Sequence, residues 1–184
     1  MNAVEAMRHQ ALRVRALRAY EAGRASWSLA RAAWLLPAAG AAYLCCPEPG
    51  RIVASAAALV LAVAFCLWRG QAWGRGVRPG LLAGAAPMLV PIVAQAISHA
   101  CTPAGCSLYP TVCILAGVAG GIALPLLAPR PGEGRGIPLV AASLIAGLAG
   151  SVGCLIYGLI GVAGMAAGLI AGAMPVLAAR HARG

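Results

Sequence analysis

Residues 137 to 179 read IPLVAASLIAGLAGSVGCLIYGLIGVAGMAAGLIAGAMPVLAA, without a single Asp, Glu, Lys, Arg or His. A helix needs about 20 mostly apolar residues to cross a bilayer. This stretch therefore holds two crossings, at 137–157 and 159–179. Outward from it lie four more apolar blocks, at 110–128, 80–98, 52–68 and 32–46, the last two of which are short. Hydrophobic residues make up 61% of the 184 positions, charged residues 10%, and the mean hydropathy is +0.85. A soluble domain sits near half apolar and a quarter charged, so this composition fits a chain whose solvent is lipid.

The charges set the direction. Every basic residue is Arg, and the four acids are Glu5, Glu21, Glu48 and Glu133. Arg8, Arg13, Arg15, Arg18, Arg24 and Arg31 precede the first block, and Arg69, Arg75 and Arg78 fall in the second connection. Arg130 and Arg135 fall in the fourth connection, and Arg180 and Arg183 in the tail. The first, third and fifth connections hold only Arg51. Basic residues stay on the cytoplasmic side, which predicts an all-α polytopic membrane protein with six transmembrane helices and both termini inside. Its parts are a cytoplasmic basic amphipathic helix (1–31), a six-helix transmembrane bundle (32–179) and a cytoplasmic tail (180–184). The location is the bacterial inner membrane. No apolar stretch with a small-residue cleavage site precedes the first block, so that block itself is expected to be the signal anchor. Trp34, Trp68, Trp73, Tyr43, Tyr109 and Tyr157 sit near predicted span ends, as an interfacial aromatic belt requires.

Lipid gives helices no hydrophobic reason to associate, so small residues that let backbones approach must do it. Gly164, Gly168 and Gly172 on the sixth span and Gly117 and Gly121 on the fourth are read as helix packing, as are Ser143, Gly147 and Ser151 on the fifth. The fourth and sixth spans also echo each other at an offset of fifty. Ala116, Ala123, Pro125, Leu127, Ala128 and Arg130 match Ala166, Ala173, Pro175, Leu177, Ala178 and Arg180, which hints at a duplicated hairpin. On the third span Pro87, Pro91, Gln95 and His99 recur every four residues and share one face. That face either lines a small polar cavity or packs against a neighbour, and packing is the preferred reading because no second polar stripe answers it.

No ionisable side chain lies inside a span core. Such residues mark proton relays and ion pathways, so a proton-coupled carrier is disfavoured. Nor are there paired carboxylates, or a His beside a nucleophile, to make the chain an enzyme. The chemistry that remains is thiol chemistry. Cys45 and Cys46 end the first span, Cys101 and Cys106 lie in the third connection, Cys113 opens the fourth span and Cys154 closes the fifth. All six fall on the outer, oxidising side, where disulfides persist; only Cys66 lies inward. They are either structural disulfides stapling the outer loops or a thiol site that senses or carries something. His99, Cys101, Cys106 and Cys113 form a ligand set suited to zinc or copper(I), although their spacing matches no standard zinc module. The expectation is no cofactor, with a soft metal at the outer thiols as the alternative. No CxxC announces a thiol oxidase.

Residues 2 to 30 are rich in Ala, Leu and Arg and should be helical. Val4, Met7, Ala11 and Val14 are read as one side, with Arg8, Arg15 and Arg18 away from it. Such a helix would rest on anionic headgroups or bind a partner. Nothing in it resembles a nucleic-acid recognition module.

A basic cytoplasmic N-terminus, six spans, outward cysteines and the stretch CLIYGLIGVAGMAAGLIAGAMPVLAAR, from Cys154 through Pro175 to Arg180, together resemble the six-helix bacterial membrane anti-sigma factors of the NrsF-like type. The resemblance implies that residues 1–31 hold a sigma factor, and that Cys154 and one loop cysteine are the pair that answers oxidants or heavy metals. The functional expectation is thus a thiol-based envelope sensor or regulator with the lipid bilayer and a cytoplasmic regulatory protein as partners. A soft-metal carrier, or a structural membrane protein with stapling disulfides, stands as the alternative.

Overall fold

The structure, a computed structural model, describes residues 3–44, 49–98, 109–128 and 136–182, with side chains for 10–44, 50–94, 111–128, 136–180 and 182. The described residues form helices and turns, with no strand among them. The helices are α1 (Ala3–Ala32), α2 (Leu36–Leu44), α3 (Pro49–Arg69), α4 (Gln71–Arg75), α5 (Val77–Ser98), α6 (Tyr109–Leu127), α7 (Ile137–Cys154) and α8 (Gly158–His181). Three helical stretches are long and apolar enough to cross a membrane: Gly50–Arg69, Gln71–Ala94 and Ile137–Arg180. Thr111–Leu127 is a shorter apolar helix.

The first predicted span is redrawn. α1 does not stop at residue 31 but runs on to Ala32, and a 3-10 turn over Ala33–Leu35 joins it to α2. Proline explains the turn. Pro37 has no N–H to offer the Ala33 carbonyl, so the Leu36 N–H takes that carbonyl instead and tightens the helix locally. α2 alone, with nine residues, is only about 14 Å long at 1.5 Å per residue. The faces of α1 are also less segregated than read from sequence. Arg18 lies one turn beyond Val14 and falls on its side.

The last two turns of α1 are held by α3. Ser28 and Ala32 are buried, and the Arg24 guanidinium donates to the Trp68 carbonyl at the C-terminal end of α3. A cation there complements the helix dipole and supplies a donor to an otherwise orphaned carbonyl. The chain then turns at Gly70, whose φ of 64° only glycine adopts without strain. Gly70 lies beside Arg24; a Cβ there would stand 3.0 Å from the guanidinium nitrogen.

α7 is the central helix, with 9 of its 18 residues buried. It packs most extensively against α5, along a ladder on which backbone meets backbone. Gly76 faces Pro138, Gly80 faces Ala142, Gly84 faces Ala146 and Ala149, and Met88 faces Gly153. Partners rise together along both chains, so α5 and α7 are parallel. A Cβ on Gly80 would stand 2.7 Å from the Ala142 carbonyl oxygen, and one on Gly84 2.8 Å from the Ala149 Cβ. α6 and α8 make a second parallel pair. Gly117 meets Met165, Gly121 meets Leu169, Gly168 meets Ile114 and Gly172 meets Val118, at offsets on either side of the fifty at which their sequences echo. Gly164 is half-buried on α8.

The Ser143, Gly147, Ser151 stripe is a different matter. A Cβ on Gly147 would touch nothing within 4 Å, and Ser143 is exposed. The face of α7 that packs is Ala142, Ala146, Ala149, Gly150 and Gly153. The outer surfaces of the long helices carry large apolar residues, among them Leu61, Leu82, Leu115, Leu126, Leu144, Ile160 and Ile170, each at least 49% exposed. That girdle is far larger than a water-soluble monomer normally shows.

Two alanine substitutions on the one helix separate these faces. Gly153→Ala drives a methyl into the Met88 and Pro87 backbone and should lower stability by about 1–3 kcal/mol. Gly147→Ala should be neutral, or gain up to about 1 kcal/mol from helix propensity. Thermal unfolding in detergent micelles reads both.

Candidate functional site

Proline at 87 and 91 sets up the site. Each lacks an N–H, so the carbonyl four residues earlier loses its helical partner. Pro87 frees the Ala83 carbonyl, and Gly120 of α6 closes against it; a Cβ on Gly120 would stand 2.5 Å from that oxygen. Pro91 frees the Pro87 carbonyl, and here the donor is a thiol. Cys154, at the end of α7, donates from Sγ to the Pro87 oxygen at 3.6 Å. One turn along α5, the Tyr157 hydroxyl donates to the Pro91 carbonyl at 3.1 Å. Both prolines are fully buried, so they pack against α7 and the turn that follows it rather than line a cavity.

The second thiol arrives from α6. Cys113 and Cys154 are each 0% exposed and lie within hydrogen-bonding reach of one another. The two sulfurs thus share one buried cluster, and Cys154 within it donates to the Pro87 carbonyl. Glycine at 161 makes room for it. A Cβ there would stand 3.5 Å from the Cys113 sulfur and would collide with the Cys154 carbonyl. Met165 completes the buried cluster, flanked by Tyr157, Val162 and Leu169. The Met165 sulfur sits beside Gly150, one turn from Cys154 on α7, and its backbone sits beside Gly117, one turn from Cys113 on α6.

No charged side chain belongs to this cluster. Among the described residues the polar partners are carbonyl dipoles, a phenol and two thiols. What the cluster can do is join α6 to α7 by a two-electron oxidation of its thiols. Cys66, the third described cysteine, is buried alone on α3, and all three are free thiols. Among the described residues no group of three or more His, Cys, Asp or Glu is placed to hold a metal.

Of the residues singled out in the sequence, Cys113 and Cys154 are brought together. Cys45, Cys46, His99, Cys101 and Cys106 lie outside the described residues, as does the side chain of Gln95. The Cys113–Cys154 pairing differs from the loop partner that the anti-sigma resemblance implies for Cys154. Sequence reasoning missed Tyr157, read there only as an interfacial aromatic, together with Gly161 and Met165. The signal for Tyr157 was present: it follows Cys154 by three residues and so shares its face, and that face answers the carbonyl freed by Pro91.

Tyr157→Phe keeps the ring and removes the donor to Pro91, and it should cost about 1 kcal/mol of stability, read by reversible unfolding in mixed detergent micelles. An unchanged midpoint would mean that the hydroxyl bond contributes nothing. No protein-family model, curated protein or solved structure matches this chain.

Proposed function

We propose that this chain is a multi-pass protein of a bacterial inner membrane, with six crossings and both termini in the cytoplasm, and that Cys113 and Cys154 are the thiol switch of an envelope sensor. The observation that carries the reading is the contact of two fully buried thiols, from separate helices, on a carbonyl that a proline has freed.

Support for the crossings comes from direction. Six alternating crossings require α5 parallel to α7, α6 parallel to α8, and α1–α2 antiparallel to α3, which are the pairings found. The first crossing is then a composite helix from Arg24 to Leu44, about 30 Å long at 1.5 Å per residue. Arg31 falls within it and folds back over the Trp27 ring, 3.9 Å from the centroid, toward the cytoplasmic surface, as long basic side chains near a boundary do. Arg24, Arg69, Arg75, Arg78 and Arg180 collect at this end of the bundle; Cys113 and Cys154 collect at the other.

The switch needs an oxidant of the hydroperoxide class, small enough to enter an apolar cluster. One thiol attacks and breaks the O–O bond, releasing an alcohol and leaving a sulfenic acid. The second thiol displaces water from it and forms the disulfide. Cys154 then carries no S–H, and the Pro87 carbonyl loses its donor. A buried carbonyl without a partner is costly, by about 1–3 kcal/mol, so α5 is driven to a new arrangement between Pro87 and Pro91. From α5 the contacts continue through α4 to Gly70 and Arg24, the point where α1 is latched. The output is a change in the part of residues 1–31 that precedes Arg24, toward a cytoplasmic regulatory protein, which the anti-sigma resemblance would make a sigma factor.

Titration of the purified protein with a hydroperoxide, followed by peptide mapping without reductant, tests this. The expected product is one new cross-link joining the Cys113 and Cys154 peptides, reversed by dithiothreitol and absent from Cys113→Ser. Amide exchange around Pro87 to Pro91 should rise at least about threefold as the link forms, as loss of a hydrogen bond worth roughly 1 kcal/mol implies. If the pair stays reduced while other cysteines oxidise, or if the link forms with no change on α5, the switch is excluded.

A further inference from the structure

Residues 10 to 23 of α1 are every one of them exposed. The segment nevertheless starts from a fixed point. Arg24 is bonded to the Trp68 carbonyl, and Ser28 and Ala32 are buried against the bundle. On the exposed part Leu12, Ala16 and Tyr20 follow at four-residue spacing, with Leu17 beside them, so one face is apolar. Leu12, Leu17 and Tyr20 are each more than 60% exposed. Arg13 interrupts this face, and Arg15 and Arg18 lie outside it. Glu21 is the one acid among residues 10 to 23.

We infer that this segment docks on the anionic lipid headgroups of the membrane in which the protein sits, its Leu12, Leu17 and Tyr20 face turned into the interface and its arginines among the phosphates. This rests on the membrane reading proposed above, but not on the thiol switch. Charge selects the occupant: Arg13, Arg15 and Arg18 against Glu21 call for an anionic surface, and each Arg near such a surface favours the bound state roughly fivefold. Tethering favours it again, because Arg24 holds the root of the segment at the level of Trp68 and Arg69, where headgroups would lie, and the effective concentration of lipid there is high. Geometry allows it through Gly23, the residue next to the latch. Gly23 has open space around its Cα and is the weakest helical position in the segment, so the helix can bend there from the bundle axis toward the membrane plane. A cytoplasmic protein that binds this segment must displace it from lipid first.

The test uses the full chain in two nanodisc preparations, one of phosphatidylcholine alone and one containing phosphatidylglycerol, with amide exchange read on peptides covering residues 10–22. The expected result is exchange at least about tenfold slower in the anionic discs, with the difference removed by the triple variant Arg13→Gln, Arg15→Gln, Arg18→Gln and by high salt. Exchange over α3 to α8 should be the same throughout, which shows that the bundle is intact. Equal exchange in both lipids overturns the inference, as does protection that appears only when a soluble protein is added. Failure of the chain to enter discs at all would overturn the membrane reading instead.

Discussion

Backbone contact between parallel helices is the constraint from which the rest of this structure follows. In lipid, apolar side chains gain nothing by leaving their surroundings, so helices adhere only where dispersion and weak Cα–H···O contacts operate at short range. Gly76, Gly80, Gly84 and Gly153 bring α5 to α7, and Gly117, Gly121, Gly168 and Gly172 bring α6 to α8. With those two seams closed, the beginning of α6 and the end of α7 must lie at the same end of the bundle. The Cys113–Cys154 contact is a consequence of the seams, not a separate piece of design.

Much of this was legible in the sequence, and the exceptions have physical causes. The apolar blocks gave the helical segments within a few residues, because segments without charge have no other way to satisfy their backbone in lipid. The first block and the arm before it are both helical, and they meet at a 3-10 turn over Ala33–Leu35 that the sequence reading did not place. The small-residue reading succeeded on α6 and α8 and failed on α7. In a helix this rich in Ala and Gly, several faces have small residues at four-residue spacing, and only the partner decides which one is used. The α5 ladder was missed for a simpler reason: Gly76 lay in a stretch counted as connection, which hid the repeat running from it through Gly80 to Gly84.

The thiol site was half legible. The charge pattern was the ground for grouping the six cysteines on one side. Which two meet did not follow from it, since the pairing depends on the register of α6 against α7, and nothing local to Cys113 or Cys154 encodes it. The prolines were flagged by their spacing and by the carbonyls they free, but the donors were not identified. Pro87 and Pro91 look like helix-kinking residues with a polar face, and the structure shows their two carbonyls answered by Cys154 at the end of α7 and by Tyr157 in the turn that follows.

The proposed switch differs from a disulfide used as a staple. A staple gains by being permanent, and its cysteines need no partner other than each other. Here one of the two thiols has a second partner, because Cys154 also donates to the Pro87 carbonyl that Pro91 leaves without its helical donor. In the proposed switch, reduction and oxidation would favour different states of α5, the difference being whether a hydrogen remains on the Cys154 sulfur. A methionine neighbour and an absence of charge keep the pair apolar, so water cannot easily replace the lost donor. The size of the response is limited by the worth of one buried carbonyl, on the order of 1–3 kcal/mol. This is in the range of ordinary allosteric coupling energies, which is the scale the proposed switch requires.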